Sequence, residues 1–413
     1  MEKFFSHAFG NIFEAGILHD PELDLPADAP RSAPQSFQVC GEDSITVVLG
    51  WDKAEADLFL ELHTPGGAVL TAGSAGIEDS SGRTWTFLRV PLPHGSERDG
   101  TWQAVAVRPG GGGEFPPPSP ALRFFVNVIP SGGVRLLRVQ DAKRYYTGDS
   151  INPMVYLRYG DGGWPANAEV TLTVSVPDTS IGNVLTREKL HAAATVDGDT
   201  IPAPQATLAA LEAASGKPVV GYTEQTFKLE DDSASTEGKF ESGGVLGLPI
   251  DDLLKAEGSY TFHAKATYAQ GQCTAQRELV WSVHVDTGID PGRTDTTTTV
   301  TSPGVGTIVL VPRDRYGNNV GPGRGGDIVV TPTPGTTVTG PISDNGDGSY
   351  TVPVSWDPGL PGPGVVVGQP GRPPVVIGQP GGGEGEDEDL WWKILVAVLI
   401  LIIVVLVIVL LLT

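Results

Sequence analysis

Ser343-Asp-Asn-Gly-Asp-Gly-Ser-Tyr-Thr-Val-Pro-Val354 is the stretch that decides the fold. Asp344–Gly348 concentrates Asp, Asn and Gly, the residues that supply positive φ and side-chain hydrogen bonds to a tight turn. Beyond the turn, Tyr350, Val352 and Val354 alternate with polar or small neighbours. Alternation with a period of two marks a half-buried β-strand. A turn feeding such a strand predicts antiparallel β-structure, and comparable segments recur through most of the chain.

Upstream lies Val309-Leu-Val-Pro-Arg-Asp-Arg-Tyr-Gly-Asn-Asn-Val320. Together with Ser343–Val354 this resembles a filamin-type Ig-like repeat covering residues 296–358. Such a repeat adds closing strands after Asp357-Pro-Gly; here the chain runs into Pro361–Gly383, where Val365–Val367 or Val375–Ile377 could complete the sheet.

Further upstream, Ile45, Val47, Leu49 and Trp51 alternate, as do Leu58, Leu60 and Leu62. Trp85–Val90, Gly100–Arg108 and Leu122–Val128 follow, separated by Gly/Ser/Pro clusters, as in an antiparallel sandwich. Asp57-Leu-Phe-Leu-Glu-Leu-His-Thr-Pro-Gly-Gly and Gly100-Thr-Trp-Gln-Ala-Val-Ala-Val resemble the jelly-roll sandwich found downstream of von Willebrand A domains in bacterial-type surface proteins. They are also similar to prepeptidase C-terminal modules. That module spans 36–129, with Pro-rich Gly110–Pro120 as an internal loop. Residues 134–287 form a second unit. Strands are expected at Val134–Arg138, Met154–Arg158, Glu169–Val176, Thr223–Leu229, Tyr260–Tyr268 and Leu279–Val285, and helical interludes at Pro204–Ala214 and Ile250–Lys255. Its Tyr146-Thr-Gly-Asp-Ser-Ile, Ala168–Val174 and Glu257-Gly-Ser-Tyr-Thr-Phe-His-Ala segments resemble an elaborated Ig-like sandwich.

The flanks read differently. Met1–Leu18 places Phe5, Phe9, Ile12, Phe13, Gly16 and Ile17 at helical spacing and lacks the pattern of a secretory signal. An amphipathic helix docking on a separate partner or an upstream domain is expected, with His19–Gln35 as a linker, so deleting residues 1–25 would leave the stability of the sandwiches within about 0.5 kcal/mol. Residues 130–133 and Asp286–Thr299 read as further linkers. Residues 359–389 form a Pro/Gly-rich spacer, with Val366-Val-Gly-Gln-Pro-Gly repeated as Val376-Ile-Gly-Gln-Pro-Gly, and end in the acidic run Glu384–Asp389. From Ile394 to Leu412 the chain is unbroken apolar. As a helix this run spans roughly the ~30 Å hydrocarbon core of a bilayer, with Trp391, Trp392 and Lys393 at the interface. Residues 390–413 are therefore expected to be a single transmembrane helix and the membrane a partner.

The net charge of −22 excludes nucleic acid as a partner, because phosphate binding needs clustered Lys and Arg. Gly (54) and Pro (35) favour turn-rich β-structure. Cys40 and Cys273, in different modules, are expected as two separate buried thiols rather than one bridge.

Motifs that suggest chemistry fail on context. Gly321-Pro-Gly-Arg-Gly-Gly matches a dinucleotide fingerprint, but a strand rather than a helix follows, which predicts a hairpin turn. Ala72-Gly-Ser-Ala-Gly lacks the first glycine of a nucleophile elbow. Histidines 7, 19, 63, 94, 191, 263 and 284 form no zinc motif. Asp344–Ser349 lacks the ligand spacing of a calcium loop and reads as a turn. His19-Asp-Pro-Glu-Leu-Asp reads as solvated linker rather than a cation site.

No catalytic, cofactor-binding or metal residue is expected, and the chain is read as a non-enzyme. The expected architecture is mainly β: tandem antiparallel jelly-roll and Ig-like sandwiches on a stalk with one C-terminal transmembrane helix. The expected function is structural or adhesive display at a cell surface, with a protein or surface ligand bound through the sandwiches. The alternatives are an accessory module of a surface hydrolase and a cytosolic tail-anchored scaffold. The bulk of the chain is expected to be extracytoplasmic.

Overall fold

A computed structural model describes residues 17–370 and 375–377, apart from 28, 110–120, 140–142, 161, 166, 197–198 and 232–243. The expected N-terminal helix (residues 1–16 of it), the Pro-rich loop, the acidic run and the expected membrane helix lie outside the described residues. Among the described residues no helix is long and apolar enough to cross a membrane. The chain divides into two compact units, residues 17–288 with 314–319, and 289–313 with 320–377.

The first unit begins with two antiparallel sheets. Five strands run in the order β1 (Glu22–Leu25), β9 (Leu122–Ser131), β3 (Ser44–Trp51), β7 (Trp85–Pro91) and β6 (Glu78–Ser81). Four run β2 (Gln35–Val39), β8 (Gly100–Val107), β4 (Phe59–His63) and β5 (Val69–Leu70). The alternation read from the sequence supplies their shared core: Ile45, Val47 and Leu49 meet Leu60, Leu62 and Trp102, all buried. Trp51 and Trp102 keep their indole N–H groups satisfied inside it by donating to the carbonyls of Ala56 and Arg98.

The segment 19–35 is not the expected linker. Glu22–Leu25 pairs antiparallel with Leu122–Phe125, and Leu18 and Leu25 are buried in the same core. Pro21 and Pro26 bracket a strand too short for its periodicity to stand out.

The same unit continues into one eight-stranded order: β10 (Val134–Arg138), β12 (Met154–Tyr159), β17 (Val245–Gly247), β16 (Tyr222–Asp231), β13 (Glu169–Pro177), β18 (Gly258–Gln270), β19 (Cys273–Asp286) and β11 (Tyr145–Tyr146). β16 pairs with β13 along Tyr222–Leu229 and then passes to β17 at Glu230 and Asp231, so one strand serves both halves of the layer. The core holds Val170, Leu172 and Val174 against Phe262, Ala264 and Ala266. Helix α1 (Ile181–Arg187), not anticipated, α2 (Ala203–Ser215), anticipated, and a separate pair of strands, β14 (Ala194–Val196) and β15 (Asp199–Ile201), lie between β13 and β16. Ile250–Lys255 is not helical. Ile250 bridges to Ile151, and Leu253 and Leu254 are buried in the core, so apolar spacing that mimicked a helix reflects an irregular segment anchored by its side chains.

β9 reaches β10 through Gly132 (φ 80°) and Gly133 (φ 72°). A side chain at Gly132 would meet Asp43, and one at Gly133 the guanidinium of Arg277, so both positions require glycine. This turn adjoins a buried polar knot. Arg277 and Glu42, both fully buried, pair at 2.6 Å. Arg277 also donates to the carbonyls of Val134 (2.7 Å) and Gln276 (2.8 Å), while Glu42 accepts the Cys40 N–H.

Beside the knot Cys40 and Cys273 form a disulfide, with Cα atoms 6.1 Å apart. The expectation of two separate thiols is thus corrected. The long β18–β19 hairpin carries its tip, residues 270–273, back to the end of β2, a meeting that sequence distance conceals.

The second unit is built of two antiparallel sheets. One sheet runs β20 (Asp295–Ser302), β21 (Val305–Val311), β25 (Tyr350–Trp356) and β23 (Thr336–Val338), with β24 (Ser343–Asp344) also on β25; the other runs β22 (Val329–Pro332), β26 (Val365–Gly368) and β27 (Val375–Ile377). Both candidate closing segments therefore complete the second sheet. Five of the residues read as linker between the units, Asp295–Thr299, belong to β20. Tyr350, Val352 and Val354 are fully buried, as their alternation requires.

Candidate functional site

The outward face of the β18–β19 hairpin carries His263, Lys265 and Thr267 opposite Val280, Glu278 and Gln276. The residues between them, Phe262, Ala264 and Ala266, point into the core, so alternation leaves this polar row on the surface side. Leu18 and His19 cross beside it: Ile17 pairs with Glu278, and His19 with Val128 of β9. On the other side runs β2. Between them opens a cleft of about 340 Å³, lined by Leu18, His19, Ser36, Phe37, Gln38, Thr101, Lys265, Thr267, Thr274, Ala275 and Gln276.

Glu278, its side chain 8% exposed, organises one end. Its carboxylate takes hydrogen bonds from Gln276 Nε2 (2.5 Å) and lies 3.0 Å from His263 Nε2, with Lys265 Nζ at 3.9 Å. Burial alone would raise the carboxyl pKa. The bond and charge of His263, with Lys265 and His19 beyond, outweigh burial and hold it below the usual range. His19 moves down for the converse reason: burial disfavours its cation more than Glu278 and Asp20 favour it. Its Nε2 is buried without a hydrogen-bond partner. At the other end Thr101 donates to Gln38 Oε1 (2.9 Å), and Gln38 Nε2 lies 3.4 Å from the sulfur of Cys273.

The cleft thus sets hydroxyls and amides beside the apolar Leu18, Phe37 and Ala275, and its one cation among the described residues, Lys265, lies 3.9 Å from the buried Glu278 carboxylate. Such a surface both donates and accepts hydrogen bonds without net charge. Among the described residues no group of three His, Cys, Asp or Glu is placed to bind a metal.

The motifs weighed from the sequence fall elsewhere. Gly321–Gly326 forms turns leading into a short 3-10 segment, Gly325–Asp327, before β22. It is a crossover rather than the expected hairpin, because β22 pairs with β26 and not with β21. Tyr350 secures it, its hydroxyl donating to Gly321 O (2.5 Å) and accepting from the Arg324 N–H (3.1 Å). Gly73–Gly76 is a surface turn in which Ser74 Oγ accepts the Thr71 N–H. Asp347 spends its carboxylate within its own turn, on the Ser349 N–H, while Asp344 accepts the N–H of Gly346 and, outside the turn, that of Gly323. Of the segments weighed as possible sites, only His19–Asp24 contributes to the cleft, through His19. The outward alternation of His263, Lys265 and Thr267 was visible in the sequence; their neighbours across the cleft were not.

No family model matches the chain, and no curated protein does. Solved structures resemble it distantly. A DUF4785 family protein from Legionella pneumophila is 9% identical with a TM-score of 0.36, over 88% of this chain and 80% of that one. The Escherichia coli adhesin FdeC is 13% identical with a TM-score of 0.29, over 87% and 96%. The propeptide form of the Bacillus licheniformis lipase BlEst2 is 7% identical with a TM-score of 0.29, over 65% and 41%. At these scores none of them carries an argument about function.

Proposed function

We propose that this chain is a non-catalytic display protein, held at a membrane by residues 390–413 with its sandwiches outside the cytoplasm, and that the first unit engages a surface ligand through the cleft beside β2. The observation that carries the reading is the Cys40–Cys273 bridge. Disulfides persist in oxidising compartments and are reduced in the cytosol. The apolar run Ile394–Leu412 supplies the anchor, and the neutral lining of the cleft suits adhesion to hydroxyl- or amide-rich material more than recognition of ions.

The test is accessibility. Protease added to intact cells should remove the sandwiches and leave a membrane-bound stub, and the cysteines of protein taken from those cells should resist alkylation until a reductant is added. Sandwiches that survive until lysis, with cysteines alkylated at once, would return the chain to the cytosol as a tail-anchored scaffold. Co-purification with a hydrolase would favour the accessory-module reading instead.

A further inference from the structure

β20 is a strand that buries nothing. All eight of its residues, Asp295–Ser302, are exposed, although it pairs with β21 along Asp295–Val300 and again, past a bulge at Thr301, at Ser302. Thr296, Thr298 and Val300 lie opposite Leu310, Ile308 and Gly306, on the face that β21 turns to the core. They remain in solvent, Val300 at 61%. Among the described residues no strand pairs with the outer edge of β20, which ends its sheet.

Native edges are usually blunted by lysine, proline, an inward charge or a bulge; the one bulge here, at Thr301, sits at the far end of the strand and leaves Asp295–Val300 regular. From Thr296 to Val311 there is no ionisable side chain, and the one proline, Pro303, sits in the turn beyond β20. Asp295, at the strand's start, is 3.0 Å from Arg313. On a chain of net charge −22 this neutral ribbon is where a second copy meets the least repulsion. The edge is also self-complementary. Antiparallel pairing of two copies about Thr298 sets Thr297 opposite Thr299 and Thr296 opposite Val300, so one face receives only threonines and the other threonines and two valines. Thr–Thr and Thr–Val pairs are favourable cross-strand neighbours, and a two-fold axis uses the same patch on both copies.

We infer that β20 is a homotypic docking edge, through which two copies of this chain join their second units into one continuous sheet. A single strand pair buries less than the roughly 1,200 Å² of a stable interface, so the association depends on concentration.

Sedimentation equilibrium of the full chain in detergent tests this, with hydrogen exchange over the same concentration range. We expect a monomer–dimer equilibrium in which amides of residues 296–301 gain protection as the dimer forms. Thr298→Lys should weaken the dimer at least tenfold, and Thr298→Ser should leave it unchanged. Thr298 is exposed, so either change should preserve the far-UV spectrum. A wild-type chain that stays monomeric at every concentration overturns the inference. So does a dimer that Thr298→Lys leaves intact, which would place the contact elsewhere, or protection of 296–301 that appears only when a different protein is added.

Discussion

Arg277 shows how one side chain can decide a junction. Its guanidinium has no access to solvent and is satisfied by Glu42 and two carbonyls. A buried ion pair need not outperform an apolar pair, but removing one partner strands the other charge, at about 3–5 kcal/mol. Arg277→Met and Glu42→Leu should each cost that much in chemical denaturation, and the double variant should recover part of the loss. His19 and Glu278 set the response to acid. Both have folded-state pKa values below their unfolded ones, so both favour the native state at higher pH. As pH falls below about 6.5 the unfolded chain begins to protonate His19 while the native state resists. Below about 4.5 Glu278 adds its own loss as pH falls toward its folded value. The melting temperature should therefore decline in two stages between pH 7.5 and 3.5, and His19→Gln should remove the upper stage. An unchanged upper stage in that variant would assign it to another group.

Individual elements show why some of the fold was legible and some was not. β3, β4, β18 and β25 could be read because each puts apolar residues at every second position and is followed by a turn signal: Asp52, Thr64-Pro-Gly-Gly, Gly271 and Asp357. β1 could not: four residues with Leu23 and Leu25 between charges look like a linker until β9 supplies their register. The consequence is measurable. Leu25→Ala should destabilise the first unit by about 2–4 kcal/mol, the range for truncating a buried leucine, and deleting residues 1–25 should cost more, against the expectation that this end contributes little. In the second unit, Tyr350→Phe leaves the Gly321 carbonyl and the Arg324 N–H without their partner, which should cost about 1–3 kcal/mol with the alternating core intact. The cleft was half visible. Strand alternation places Lys265 and Thr267 outward, but that β2 and His19 face them follows from a hairpin returning across the sequence, which no local pattern encodes.

At the scale of the molecule, the Cys40–Cys273 bridge closes a span of 233 residues. Reduction should lower the stability of the first unit by about 2–5 kcal/mol, the usual loss for a native bridge, and Cys40→Ser/Cys273→Ser should behave alike in oxidising buffer. A melting curve indifferent to reductant would mean that the polar knot alone holds the junction. The same bridge has a mechanical meaning for a chain tethered at one end and gripped at the other. Tension entering near β2 can leave through β19 across a single covalent link. Nearly all the chain between them is thereby withheld from extension: at ~3.4 Å per residue, about 800 Å of slack that a pull cannot draw out. Under load such a unit would yield at its ends and keep its middle, and a bond made at the cleft, next to the link, would sit where the material is stiffest.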